Sequence, residues 1–310
     1  MEKRYLTLVI PQHNDWESLA DLLSEINSLA KLQVNGKVSV VIVDDFSESL
    51  CPFDIGIYDR LELQTVRIVQ NIGHQRAIAI GLCYVFDHFS SKWVGVLDAD
   101  GEDRPVDFFR MVEAAKQHSQ SIFAKRTKRS EGFLFKLFYW IYKIIFWFST
   151  GRKIDFGNFS VIEGSRLKAL VHDANLWNNY AVAFLKSKIP FDKLSTERGK
   201  RYYGKSRMNI TGLIIHGLSG IAVFVDVVTT RVILFSLSII LLAMAGIGVV
   251  VGIRFGTDLA IPGWATYSVL AFGILLFQAL IISFFTLFIF LSNRSTQAIQ
   301  PIKEYSKYID

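Results

Sequence analysis

Two stretches near the C-terminus constrain this chain more than any other feature. Val232 to Ile253 runs for 22 residues without a charge, bounded by Arg231 and Arg254. As a helix rising ~1.5 Å per residue it is ~33 Å long, enough to cross the hydrocarbon core of a bilayer. Thr266 to Leu291 supplies 26 more uncharged residues and ends just before Asn293-Arg294. The linker between them holds Pro262, Gly263 and Trp264, suited to a turn at a membrane interface. Two transmembrane helices are therefore expected over 226–292. Arg294, Lys303 and Lys307 in the tail 293–310, with the basic residues before the first span, put both ends on the cytoplasmic side by the positive-inside tendency.

The rest of the chain has a different composition. Overall it is 51% hydrophobic and 20% charged, but the charges crowd into residues 1–210, which leaves room for a globular domain ahead of the spans. The net charge of +6 suits an anionic partner such as phosphate, nucleic acid or lipid headgroups, and the sign alone does not choose among them. Cys51 and Cys83 form no CxxC pair and read as two reduced, packed thiols. The apolar run after Met1-Glu2-Lys3-Arg4 stops at Pro11, too short for a secretory signal, so the globular part is expected to stay in the cytoplasm.

Within that part, short apolar runs alternate with helical spacing. Residues 5–10, Val38–Val43, Thr65–Val69 and Trp93–Leu97 read as buried strands. Leu19, Leu22, Leu23, Ile26 and Leu29 are spaced as one helix face, and a helical stretch follows Asn71-Ile72-Gly73 through Phe86. This alternation implies a largely parallel sheet covered on both faces, with ligands bound at the carboxyl ends of its strands. Phe133–Thr150 is denser in aromatic and aliphatic residues, with Lys136 and Lys143 seven apart on one face. Two lysines at bilayer depth are costly, so the segment is expected to lie in the interface rather than to span. Residues 210–225, which include His216, are expected to form a second surface helix leading into the first span.

Val96-Leu97-Asp98-Ala99-Asp100-Gly101-Glu102-Asp103 is the strongest chemical signal. An apolar strand runs into acids at alternate positions, and Asp44-Asp45 closes the second strand in the same way. Hard divalent cations prefer such oxygen ligands and combine one or two carboxylates with substrate phosphates. Asp98, Asp100 and Glu102 are the candidate ligands for Mg2+ or Mn2+.

Residues 1–209 resemble the family 2 glycosyltransferases, in particular the polyprenyl-phosphate sugar transferases. VIPQHNDWESL (9–19) is similar to the family's VIPxYNExxNL, VDDFSES (43–49) to VDDxSxD, and NIGHQRAIAIGL (71–82) to NxGxxxAxxxGL. DADGEDRP (98–105) is similar to DADxQxPP, DFGNFSV (155–161) to DxGxFxL, and RYYGKSR (201–207) to RxxGxSK. The resemblance implies a GT-A (Rossmann-like) α/β domain over 1–209. It implies that Pro11, Asp15, Val43 and Asp45, with Asp98, bind the nucleotide-sugar donor. Asp98, Asp100 and Glu102 would hold the metal and the diphosphate, and Asp100 and Asp155 would be catalytic. Arg126, Arg129, Arg201, Ser206 and Arg207 would bind phosphate, with Arg126 and Arg129 clamping the lipid acceptor. His13 stands where the family has tyrosine, Asp15 and Glu102 where it has glutamate and glutamine, and Arg207 where it has lysine. The base and the sugar stay open, and His74 and Arg76 are further candidates near the donor.

The expected reaction is inverting transfer of a sugar, from a UDP-sugar by preference, to undecaprenyl or another polyprenyl phosphate at the cytoplasmic face of a bacterial inner membrane. Membrane lipid is an expected partner, nucleic acid is not, and a homo-oligomer is compatible with the sequence. The competing readings are a polysaccharide-synthase-like enzyme with a saccharide acceptor and a non-catalytic membrane scaffold. The first generally carries a QxxRW-type segment and more spans, and intact acids at 98, 100 and 155 argue against the second.

Overall fold

The computed structural model describes residues 2–34, 36–52, 57–126, 133–204, 210–258, 261–295 and 298–310, with no side-chain description for 2–3, 133–139, 210 or 294–295. The chain forms two compact units. One comprises residues 1–144, 153–223 and 298–310, and the other residues 145–152 and 224–297.

The first unit is an α/β layer structure. Its strands are β1 (Glu2–Gln12), β2 (Val38–Asp44), β3 (Leu61–Arg67), β4 (Phe89–Val96), β5 (Ser121–Arg126), β6 (Ser160–Glu163) and β7 (Phe191–Thr196). They form one sheet in the order β3-β2-β1-β4-β6-β5-β7. Every pairing is parallel except those of β6, which runs against both β4 and β5. Six strands therefore point the same way, and their carboxyl ends lie along one edge. β6 begins at that edge, so the 155–159 segment feeding it reaches the same place.

Side-chain alternation along the strands builds two cores. Leu6, Leu8 and Ile10 of β1 and Val38, Val40 and Ile42 of β2 face α1 (Trp16–Gln33) and α3 (Pro105–His118). Val9, Val41 and Val43 face α2 (His74–His88), α5 (Gly164–Val171) and α6 (Tyr180–Lys186). On α2, Gly81 makes the close approach possible: a Cβ there would lie 2.4 Å from Val9 and 2.8 Å from Val43. The third strand starts four residues earlier than its apolar run suggests. Leu61 and Leu63 are buried while Glu62 and Gln64 are exposed, a half-buried alternation that an apolar-run criterion misses.

After α4 (Phe133–Thr150) and α7 (Ile210–Ala222) come two 32-residue helices, α8 (Val225–Gly256) and α9 (Trp264–Ser295). Both are long and apolar enough to cross a membrane, and only 11% and 6% of their most apolar windows are buried, which separates them from core helices of a soluble protein. They pack on each other, with the Phe272 ring occupying the space a side chain would need at Gly246. Arg231 of α8 donates to the Phe148 carbonyl, an acceptor in the last turn of α4, and also reaches the Trp147 carbonyl, which accepts the Gly151 amide as well.

The final segment returns to the first unit. It forms α10 (Pro301–Glu304) and a 3-10 turn at Tyr305–Tyr308, and Ile309 bridges to Ile68 beyond the end of β3. The sequence marks this segment only as a charged tail.

Candidate active site

The ends of β1 and β2 are tied together first. Asp44 is buried and structural: its Oδ1 accepts from Gln12 Nε2 at 2.6 Å and from the Ser47 amide at 3.0 Å. Asp45 faces the next loop instead, where its two oxygens accept the amides of Ile72 (2.8 Å) and Gly73 (2.9 Å). Gly73 has φ +87°, which glycine adopts freely, and it leads into the first turn of α2. Burial pushes the Asp45 pKa up, and the two amides and the nearby His13 and His74 only partly offset it. His13 Nδ1 lies 2.9 Å from the Asp45 carbonyl. Pro11 and Val43 are register partners, both buried, and the Val43 side chain belongs to the core. Asp15 sits at the start of α1 without capping it, and its Oδ2 is 3.7 Å from Arg201 Nη1.

The turn after β4 carries four acids, and each faces a basic side chain. Asp98 Oδ1 is 3.2 Å from His74 Nε2, Asp100 Oδ2 is 2.5 Å from Arg201, Glu102 Oε2 is 2.5 Å from Arg198, and Asp103 Oδ1 is 2.8 Å from Arg126. Burial works against the Asp98 charge, but His74, Arg126 and Arg201 outweigh it and hold its pKa low. Burial and the Asp98 charge push Asp100 up to about 6 and Asp103 up to about 7. For His74 burial opposes the cation, and Asp98 more than compensates, so its pKa is raised.

A second segment, 197–204, lies over this turn. The Gly199 amide donates to Glu102 O and the Tyr202 amide to Asp100 O. Gly101 has φ +82°, and a Cβ there would lie 2.3 Å from the Tyr202 ring. Gly199 is equally tight, with a Cβ placed 2.3 Å from the Gly101 carbonyl. Arg198 and Asp103 escaped the sequence reading. Arg198 precedes the 201–207 motif, and Asp103 looks like a solvated turn acid until its 1% exposure is seen.

Among the described residues, no group of three His, Cys, Asp or Glu side chains is placed to hold a metal ion. Glu102 takes two donors from Arg198 on one oxygen. Asp98 and Asp100 fit better: Asp98 Oδ1 is buried and makes no well-directed hydrogen bond. Two carboxylates completed by substrate phosphates is a familiar donor set for a small hard cation. The fit is to an ion shared with a ligand, not to a closed protein cage.

Asp155 belongs to a neighbouring ion-pair set. It accepts from Lys193 of β7 and lies 3.5 Å from Lys125 of β5. Burial opposes its charge, yet the lysines hold its pKa below the usual range. Asn158, from the same segment, reaches His74 Nε2 at 3.2 Å and so joins this segment to the Asp98 turn. Arg126, at the end of β5, is lifted above its ordinary pKa, because Asp103 and its neighbours outweigh the burial that opposes its charge. The expected phosphate contacts Arg129, Ser206 and Arg207 lie outside the described residues.

Comparison with known proteins places the family and the fold. Glycosyl transferase family 2 matches residues 7–167, 161 of the 310 residues. The chain is 25% identical over 260 residues to an undecaprenyl-phosphate 4-deoxy-4-formamido-L-arabinose transferase of Edwardsiella ictaluri, covering 78% of each chain. It is 28% identical over 136 residues to the protein of that name in Aeromonas hydrophila, covering 43% of this chain and 40% of the other. Among solved structures, glucosyl-3-phosphoglycerate synthase from Mycobacterium tuberculosis in complex with Mn2+, UDP and phosphoglyceric acid superposes with a TM-score of 0.50. The identity is 10%, covering 72% of this chain and 78% of that one, a likeness of fold alone. The expected resemblance, the mostly parallel α/β fold and the reading as an enzyme all hold. The chain belongs to glycosyl transferase family 2, and its α/β unit is a GT-A-type glycosyltransferase domain.

Proposed function

We propose that this glycosyltransferase moves a sugar, with inversion, from a nucleoside-diphosphate donor, UDP by preference, to a polyprenyl phosphate at the cytoplasmic face of a bacterial inner membrane. One observation carries the reading. An acid pair and a set of arginines meet at one sheet edge, in a chain that continues into two helices fit to cross a bilayer. The relative aligned over 78% of each chain, at 25% identity, is an undecaprenyl-phosphate 4-deoxy-4-formamido-L-arabinose transferase, which supports a polyprenyl phosphate as the acceptor class here. The exposed Trp140, Ile141, Ile144, Trp147 and Phe148 of α4 suit a helix lying in the interface, and Ile214, Ile215 and Leu218 of α7 suit a second.

Asp45 and the Ile72–Gly73 turn would receive the nucleoside, with Pro11 and Val43 contributing main chain and Asp15 the rim. Asp98 and Asp100 would hold Mg2+ or Mn2+ against the diphosphate. When bound, that ion supplies positive charge to the departing nucleoside diphosphate. Arg201 stands beside Asp100, where its planar fork can follow the phosphates. Arg126 would bind the acceptor phosphate. A phosphate monoester has a second pKa near ~6, so the acceptor is already largely dianionic at neutral pH and needs little help from a base. Asp155, kept ionised by Lys193 and Lys125, would orient groups near the reacting carbon. Positioning and charge stabilisation then supply most of the catalysis.

The test is transfer from radiolabelled nucleotide sugars, including a 4-deoxy-4-formamido-L-arabinose donor, to undecaprenyl phosphate in detergent, with and without Mn2+. Label is expected in the lipid fraction with one donor, dependent on the ion. Transfer to a saccharide but never to the lipid phosphate would overturn the acceptor assignment.

A further inference from the structure

Asp103 is as buried as any acid of the site, and the chemistry proposed above gives it nothing to do. Its side chain is 1% exposed. It stands on the turn between β4 and α3, and its two oxygens reach different strands. Oδ2 accepts the backbone amide of Asp98, just past the end of β4, at 3.2 Å. Oδ1 accepts from Arg126 Nη2, at the last residue of β5, at 2.8 Å.

Those two strands are not neighbours. β6 lies between them and runs the other way, so at one strand spacing of ~4.8 Å per step the two ends are ~10 Å apart. The Asp103 carboxylate bridges that gap. It joins the strand end that carries the acid pair to the strand end that carries Arg126. A buried carboxylate and a guanidinium hold each other strongly in this arrangement, because removing one leaves the other's charge uncompensated. Arg126 has five N–H donors in a fixed planar fork, and one hydrogen bond to Nη2 restricts the plane of that fork.

We propose that Asp103 is a positioning residue of the transfer reaction. It sets the Arg126 guanidinium at a fixed place relative to Asp98, so that an acceptor phosphate on Arg126 meets a donor held at Asp98. This rests on the reading of Arg126 as the acceptor-phosphate contact. Asp103 itself touches neither substrate.

The experiment uses the full chain in detergent with Mn2+ at about pH 8, where Asp103, its pKa pushed up to about 7, is mostly ionised. It compares wild type with Asp103→Asn, Arg126→Lys and the double variant. Asp103→Asn can keep a carbonyl oxygen for the Asp98 amide, while its NH2 group replaces both the charge and the acceptor that face Arg126. The acceptor KM is expected to rise roughly tenfold or more in each single variant, the effect expected of one charge-assisted hydrogen bond. The donor KM and UDP binding are expected to stay within about twofold, and the double variant to be no worse than the poorer single one. Equal losses in donor and acceptor KM would show a role in folding alone, and effects that multiply in the double variant would show that the two residues act independently; either ends the proposal. If Asp103→Asn no longer binds UDP, Arg126→Gln decides, because an unchanged acceptor KM in that variant is fatal to the idea. A wild-type enzyme that transfers sugar to a different acceptor would instead sink the proposed function, so the two failures are told apart.

Discussion

Asp100 shows how one residue's surroundings set its chemistry. Burial and the neighbouring Asp98 charge push its pKa up to about 6, while Arg201 pulls the other way. Because the folded value lies above the unfolded value of 3.8, the group favours the fold below that value, and the contribution is lost as pH rises through about 6. A bound cation reverses the balance by taking the carboxylate form, so protons and metal compete for this group. Mn2+ is therefore expected to bind more weakly as pH falls from about 7.5 to about 5.5, and to raise the melting temperature more at the upper end. Calorimetric titration across that range checks it. Asp100→Asn should flatten this part of the profile and lower transfer by roughly a hundredfold or more. A pH-independent affinity in the wild type would show that Asp100 does not meet the ion. Asp98 and Asp100 were legible from the sequence, because an apolar strand running into spaced acids is a local pattern. Asp103 and Arg198 were not: their partners lie 23 and 96 residues away, and only the fold brings them together.

The strands differed in the same way. β1, β2 and β4 declare themselves by continuous apolar runs, since both faces of a central parallel strand are covered. β6 has four residues, too few for a periodic signal, yet its reversed direction brings the 155–159 segment to the site edge. The 197–204 segment is no regular element, and its place over the acid turn depends on glycine. Gly101 combines φ +82° with a Tyr202 ring where its Cβ would stand. Gly101→Ala must strain the backbone, displace the ring, or both. The cost is expected to be ~2–3 kcal/mol, summing roughly 1–2 for a left-handed alanine and at least 1 for the overpacking. Chemical unfolding of the purified protein measures it, and Mn2+-dependent UDP binding should fall along with it. An unchanged stability would mean that the turn and the Tyr202 ring are not in contact.

At the scale of the whole molecule, the chain leaves the α/β unit at Val223 and re-enters it at Ala298, with α8 and α9 between. If both helices cross the bilayer, an even number of crossings returns the tail to the side it left. Reporters fused to either terminus are then expected to score cytoplasmic, and opposite scores would contradict the two-span arrangement. The returning tail does more than end the chain. Val69 donates to the Tyr308 carbonyl at 2.9 Å and Asp310 to the Arg67 carbonyl at 3.0 Å, so the tail supplies partners for the last residue of β3 and the residues just beyond it. Tyr305 is buried with its hydroxyl donating to Asp87 at 2.6 Å, and Tyr308 packs on Trp177. An uncovered edge strand is a template for pairing with other chains, which gives the cover a second value. The Tyr308 carbonyl accepts from Val69, two residues before the Asn71–Gly73 turn, whose amides hold Asp45. Deleting residues 298–310 removes the buried Tyr305 side chain, worth ~1.5–3 kcal/mol, and two backbone hydrogen bonds at ~1 kcal/mol each, a loss of about 3.5–5 kcal/mol. The truncated protein should unfold at lower denaturant, aggregate more readily, and bind UDP more weakly than wild type while keeping its metal requirement. If UDP affinity is untouched while stability falls, the tail supports only the sheet edge. If both fall, the segment that follows the membrane helices also braces the nucleotide end of the site.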